Sequence, residues 1–184
     1  HFETLVKRML TQNGRAVGVA LKEKDVSADI VVSNMDVFPT YRNLLPDQKA
    51  PEKTLSQERS SSALIFYWGV RRSFPELDLH NIFFSADYPG EFRKIFEEKS
   101  LSEDPTVYIN ITGKESATDA PSGGENWFVM INAPGDYGQD WEGMVRQARE
   151  HILDKLSRNL GIPIRDYIEV EQVLTPRGIA DRTS

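Results

Sequence analysis

Catalysis by side chains needs acids, bases, nucleophiles or metal ligands gathered closely, and this chain offers few such groupings. Its three histidines, His1, His80 and His151, stand far apart and lack a metal spacing such as His-x-x-x-His. Each is assigned a structural or surface role. There is no cysteine, which removes disulfides, thiolate nucleophiles and Cys-based zinc or iron–sulfur sites together. Ser60, Ser61 and Ser62 lack the flanking glycines of a nucleophile elbow and suit the polar approach to a strand. Glu97, Glu98, Glu103 and Asp104 suit a solvated helix end better than a pair of working acids. None of the 12 glycines forms a Gly-x-Gly-x-x-Gly or Walker-type run, so this segment holds no phosphate-cradling loop of its own. No catalytic residue and no metal ligand is nominated.

The aromatic residues are the richer signal. Phe66, Tyr67, Trp68, Phe74, Phe83, Phe84 and Trp127 could be ordinary core or the wall of an apolar pocket. Composition limits what such a pocket serves. Among 184 residues Lys and Arg number 22 against 28 Asp and Glu, and the net charge of −6 would repel a phosphate backbone. Nucleic acid is excluded as a partner. The longest apolar run, residues 63–70, is far short of the ~20 residues a membrane-spanning helix needs. The opening His1-Phe-Glu-Thr has neither the charged nor the apolar region of a signal peptide and reads as a boundary within a longer chain. A reducing cytoplasm fits the lack of cysteine.

The elements that position these residues follow from periodicity. Residues 5–11 and 16–21 are β-prone and flank Asn13-Gly14, a dipeptide suited to the positive φ angles of a tight hairpin. Residues 28–33, with Ile-Val-Val, suit a strand buried on both faces, as in a parallel sheet. Asp36 is placed as the N-cap of a short helix through Tyr41 to Leu45. The polar stretch 46–62 is a connection carrying one short helix at 52–58, and the domain crossing is placed there.

Strands are then predicted at 63–71, 81–85, 106–112, 127–132 and 168–174, with an amphipathic helix at 91–98. Alternation sets Val107, Ile109 and Ile111 against Tyr108, Asn110 and Thr112, and Trp127, Val129 and Ile131 against Phe128 and Met130. These two strands are expected to be antiparallel neighbours. The clearest helix is 140–160, where Trp141, Met144, Val145, Ala148, Ile152, Leu153, Leu156 and Leu160 line one face between an Asp N-cap and Gly161. Thr175-Pro176 onward is predicted to be loose. The expected fold is α+β, with a mixed, largely antiparallel sheet of about five to seven strands and helices on one face.

Several stretches together resemble bacterial phytoene desaturases. In order they are Ala28-Asp-Ile-Val-Val-Ser-Asn-Met-Asp36, Ser60-Ser-Ser-Ala-Leu-Ile-Phe-Tyr-Trp-Gly69, Leu79-His-Asn-Ile-Phe-Phe84, Asp104-Pro-Thr-Val-Tyr-Ile109, Ala120-Pro-Ser-Gly123, Trp127-Phe-Val-Met-Ile-Asn-Ala-Pro134 and Leu174-Thr-Pro176. The polar loop Lys114-Glu-Ser-Ala-Thr-Asp119 departs from the family pattern. The resemblance implies the central piece of an FAD-dependent oxidoreductase, in which the flavin takes hydride as single bonds of a long polyene hydrocarbon become double bonds. The cofactor would bind the full-length parent, and the isolated piece is expected to be inactive and to bind none.

On that reading residues 1–46 are a β-rich part of a Rossmann-type flavin domain, 47–62 a connection, 63–176 the substrate domain and 177–184 a return segment. Ser33, Asn34 and Met35 would meet the cofactor through their backbone. Phe66, Trp68, Phe83 and Trp127 are the candidate tunnel residues, since a hydrocarbon offers nothing to hydrogen-bond and apolar burial is its main binding term. The parent is expected to be cytoplasmic and to touch the membrane peripherally through parts outside this segment. The alternatives are a related flavin oxidoreductase for another carotenoid or retinoid, and a stand-alone α+β binding module without redox chemistry.

Overall fold

A computed structural model describes residues 1–183 and divides them into two compact units, one built on His1–Arg59 and the other on Ser60–Ala180. In the first, strands β1 (Arg8–Gln12), β2 (Arg15–Ala20) and β3 (Asp25–Ser27) form an antiparallel sheet in that order. The predicted hairpin turn is present: Asn13 and Gly14 take φ of 52° and 75°. Gly18 is required for a different reason. A Cβ there would lie 2.2 Å from the Val26 carbonyl oxygen, so only glycine lets β2 and β3 approach.

The strand expected at 28–33 does not form in this unit. Ala28 N still donates to Val17 O at 3.0 Å, but residues 29–34 make no backbone–backbone hydrogen bond, and Ile30 and Val32 are 80% and 87% exposed. Apolar, β-branched sequence favours extension, but a strand also needs a neighbour to receive its N–H and C=O groups, and none is supplied. Asp36 caps the next turn as expected, its Oδ1 accepting from Phe38 N at 2.8 Å. The chain continues through the short helices α1 (Val37–Pro39) and α2 (Glu52–Leu55), separated by a wide π turn at Thr40–Leu44.

The second unit is a five-stranded antiparallel sheet of β4 (Ser62–Val70), β5 (His80–Phe83), β6 (Val107–Asn110), β7 (Glu125–Ala133) and β8 (Ile168–Leu174), in the order β5-β6-β7-β4-β8. As alternation predicted, β6 and β7 are antiparallel neighbours. The helix α3 (Tyr88–Arg93) follows β5 and widens into a π turn over Lys94–Glu98. The helix α4 (Trp141–Leu160) begins at its Asp140 cap, whose Oδ1 accepts from Gly143 N at 3.0 Å, and ends at Gly161 with φ of 69°.

Trp141, Ala148, Ile152, Leu153 and Leu156 of α4 pack with Leu64, Phe66, Trp68, Val107, Ile109, Trp127, Val129 and Ile131 of the sheet to make the core. Each fully buried Leu, Ile or Phe side chain contributes ~1.5–3 kcal/mol, so this stripe is the main apolar stabilisation of the unit. The fold is therefore α+β, with the long helix on one sheet face. The segment expected to be loose is the helix α5 (Pro176–Thr183), where Thr175 Oγ1 accepts from Gly178 N at 3.2 Å. A Thr N-cap followed by Pro at the first helical position is a start signal that had been legible in the sequence.

Candidate functional site

The register of the five strands fixes what stands on the face that α4 leaves uncovered. One cross-strand row is Ile82, Tyr108, Met130, Ile65 and Leu174, and the next is His80, Asn110, Phe128, Tyr67 and Gln172. Neither row contains a charged residue, in a chain that is 27% charged. The first row is apolar apart from the Tyr108 hydroxyl, while the second is polar but uncharged around Phe128, so this face is uncharged and largely aromatic at its middle. With strands ~4.8 Å apart, the rows run about 19 Å across the sheet.

Aromatic contacts hold the middle of this face. Tyr67 and Phe128 meet edge to face at 5.6 Å between centroids, and Tyr108 meets Phe128 the same way at 6.3 Å. Tyr67 remains 42% exposed, so its ring is available. At the far end of β7, Asn132 Nδ2 donates to Glu91 Oε1 of α3 at 3.2 Å. The other Glu91 oxygen accepts from Thr106 N and Oγ1 at 3.0 and 2.7 Å. That carboxylate, 1% exposed, is satisfied on every side and closes this end of the face.

The remaining buried charges also serve the fold. Glu125 accepts from Phe74 N, Trp127 Nε1 and Lys114 Nζ at 2.9, 2.8 and 2.7 Å. Burial pushes its carboxyl up, and the hydrogen bonds from Lys114, Phe74 and Trp127 outweigh that and hold it below the ordinary value. Lys155, on α4, donates to Phe84 O, Asp104 Oδ1 and Pro105 O at 2.7, 2.8 and 2.8 Å. All three of its donors are used, and none faces a pocket. Among the described residues no group of His, Asp and Glu is placed to hold a metal ion.

The aromatic residues nominated as a tunnel wall stand elsewhere. Phe66, Trp68 and Trp127 are at most 2% exposed and belong to the core beneath α4, and Phe83 packs against that core from β5. Their polar atoms are satisfied there, with Trp68 Nε1 donating to Glu171 Oε2 at 2.6 Å and Trp127 Nε1 to Glu125 Oε2 at 2.8 Å. In this chain they are core side chains. Both faces of β4 and β7 are aromatic, so alternation separates two sets of residues without telling which set the helix covers. The set on the open face is Tyr67, Phe128, Tyr108 and Met130.

Ser33, Asn34 and Met35 lie in the first unit, after the unpaired stretch. Ser33 Oγ meets Thr40 Oγ1 at 3.2 Å and accepts weakly from Met35 N at 3.4 Å. Among the described residues, 29–34 make no backbone–backbone hydrogen bond, so their N–H and C=O groups stay open to a further strand or to a ligand.

No protein-family model matches the chain. It is 61% identical over 183 residues to the 1-hydroxycarotenoid 3,4-desaturase of a Flavobacterium species, covering 100% of this chain and 38% of that protein. It is 30% identical to the phytoene desaturase of Fusarium fujikuroi over 185 residues, covering 89% of this chain and 32% of the relative. It is 35% identical to the 4,4'-diaponeurosporene oxygenase of Staphylococcus aureus, covering 97% of this chain and 37% of the relative. The chain thus spans about a third of the length of the curated relatives it matches. A crystal structure of an oxidoreductase from Methanosarcina mazei shares the fold, with a TM-score of 0.53 and 13% identity over 92% of this chain and 36% of the other. No helix among the described residues is long and apolar enough to cross a membrane. By these likenesses the chain belongs to the carotenoid desaturase family of oxidoreductases, the phytoene desaturases among them.

Proposed function

We propose that this chain is the substrate-binding part of an FAD-dependent carotenoid desaturase, with a portion of its flavin domain attached. The observation that carries this reading is the uncharged pair of rows centred on Tyr67 and Phe128, on an exposed sheet face of a chain 61% identical to an enzyme named for a carotenoid substrate. A polyene is long, flat and nearly without hydrogen-bonding groups. Such a ligand is held by apolar contact with flat aromatic and thioether side chains, at ~25 cal/mol per Å² of apolar surface buried.

The division of labour follows the two units. Residues 63–176 would form the substrate domain and 1–46 a segment of the flavin domain, joined by 47–62, with 177–184 returning toward the flavin domain. The change from one unit to the other falls between Arg59 and Ser60, inside that connection. Ile30 and Val32 would gain a neighbouring strand in the complete flavin domain, which accounts for apolar side chains left in the open here. Ser33, Asn34 and Met35, which follow them, would then offer backbone groups to FAD.

When bound, FAD would accept a hydride as a carbon–carbon single bond of the polyene loses two hydrogens, the second leaving as a proton, and an external acceptor would reoxidise it. The residues of this chain would position the bond and exclude water from it. The parent is proposed to be cytoplasmic and to meet the membrane through parts outside this chain.

The test is turnover by the full-length protein, purified with FAD and given carotenoids dissolved in liposomes. Desaturation is expected as a product two mass units lighter that absorbs at longer wavelength. Flavin binding without dehydrogenation of any carotenoid would defeat the reading.

A further inference from the structure

At the β5 edge of the open face three polar side chains, His80, Tyr108 and Asn110, come together. Asn110 Nδ2, an amide nitrogen that can only donate, lies 3.2 Å from His80 Nδ1 and also reaches Leu79 O at 3.1 Å. The amide contact is satisfied when His80 Nδ1 accepts. Tyr108 Oη stands 2.8 Å from the same nitrogen, and the two rings are stacked at 6.0 Å with 21° between planes. A neutral imidazole that accepts at Nδ1 carries its proton on Nε2. Among the described residues nothing accepts from that Nε2, and His80 is exposed on the same cross-strand row as Asn110, Phe128 and Tyr67. The strand thus presents one oriented donor at the β5 end of an uncharged face whose middle is Phe128, Tyr67 and Met130.

A pure hydrocarbon laid over this donor would strip it of water and return no hydrogen bond. A polyene ending in a hydroxyl would satisfy it. We propose that His80 Nε2–H is a hydroxyl-recognition subsite, which donates to the terminal hydroxyl oxygen of a hydroxylated carotenoid whose chain lies along Phe128, Tyr67 and Met130. Tyr108 and Asn110 are positioning residues that fix the tautomer and the tilt of the ring. The assignment rests on the reading of this face as the polyene wall, and it narrows the substrate class from carotenoids in general to those with a polar end. The name of the 61% identical relative, a 1-hydroxycarotenoid desaturase, points to the same chemistry.

The experiment compares kcat/KM of the full-length holoenzyme for a 1-hydroxylated carotenoid and for the hydrocarbon of the same length and unsaturation. His80→Phe keeps a flat ring and removes the donor. It is expected to lower the ratio of hydroxylated to hydrocarbon efficiency about threefold to tenfold, the size of one lost hydrogen bond. His80→Gln, which retains an N–H, should recover part of that ratio. Tyr108→Phe should lower the ratio less, and it carries the test should His80→Phe fail to fold. An unchanged ratio in the folded His80→Phe and Tyr108→Phe proteins, with both substrates still turned over, would overturn the subsite and leave the polyene wall standing. A wild-type holoenzyme that turns over neither substrate would instead remove the wall reading, and this proposal with it.

Discussion

Tyr67 and Phe128 face each other across the β4–β7 ladder with ring planes at 74°, on the sheet face turned away from α4. Their neighbours in sequence, Phe66 and Trp127, are buried on the other face. The two sets should therefore respond differently to truncation. Tyr67→Ala and Phe128→Ala in the full-length enzyme are expected to cost about 1 kcal/mol of stability or little more, and to raise KM for a carotenoid several-fold. Phe66→Ala and Trp127→Ala should cost about 3–5 kcal/mol and act mainly through loss of folded protein. Thermal melts beside Michaelis curves for the four variants decide this. Equal KM effects per folded enzyme for both sets would defeat the proposal that the polyene lies on the open face.

Much of this architecture was legible because period-2 and period-3.6 patterns report burial directly. The 140–160 stripe became α4, with Ile152, Leu153 and Leu156 at most 1% exposed, and β6 and β7 pair as their alternation suggested. What periodicity does not carry is which of two aromatic strand faces receives the helix, and only the packing shows that Phe66, Trp68 and Trp127 lie beneath α4. Pairing was also invisible. Ile30-Val-Val32 has the composition of a buried strand, yet its partner is not among the strands of this sheet. His80 was passed over because a lone histidine has no motif, and only the β5–β6 register brings Tyr108 and Asn110 beside it.

The packing of α4 makes a second prediction. Leu153 is 1% exposed within the core, so Leu153→Asp would bury a carboxylate without a partner, at a cost of several kcal/mol. Trp141→Asp would do the same at the start of the helix and would also remove the indole donor to Asp136, 2.8 Å away. Both proteins are expected to lose their cooperative melting transition by circular dichroism. Retained melting in both would mean that the stripe does not hold the sheet.

Membrane behaviour is the third. A charge of −6 opposes binding to anionic lipid, and the described helices include none that could span a bilayer. This chain alone is expected to stay in the supernatant when spun with anionic liposomes, while the full-length protein pellets with them. If the chain itself pelleted, the attachment would belong here. The first place to look would be the aromatic ladder Phe84, Tyr88, Phe92 and Phe96, whose first two rings are 66% and 45% exposed.

The last prediction concerns acid. Asp136 receives Arg177 Nε on Oδ2 at 3.0 Å and Trp141 Nε1 on Oδ1 at 2.8 Å, and these hydrogen bonds lower its pKa from 3.8 to about 2. The depressed value means that the folded chain resists protonation at a pH where the unfolded chain accepts the proton. The contribution to stability is therefore full above about pH 4 and is lost as the pH falls toward about 2. Solvent screens the pair, since the two side chains are 51% and 25% exposed, so the expected loss is about 1 kcal/mol, or roughly 2–4 °C in Tm. Asp136→Asn cannot titrate there. Its Tm should start below that of the wild type at neutral pH and converge with it between about pH 4 and about pH 2. Parallel curves through that window would show that the Arg177 and Trp141 contacts do not hold the carboxylate in solution.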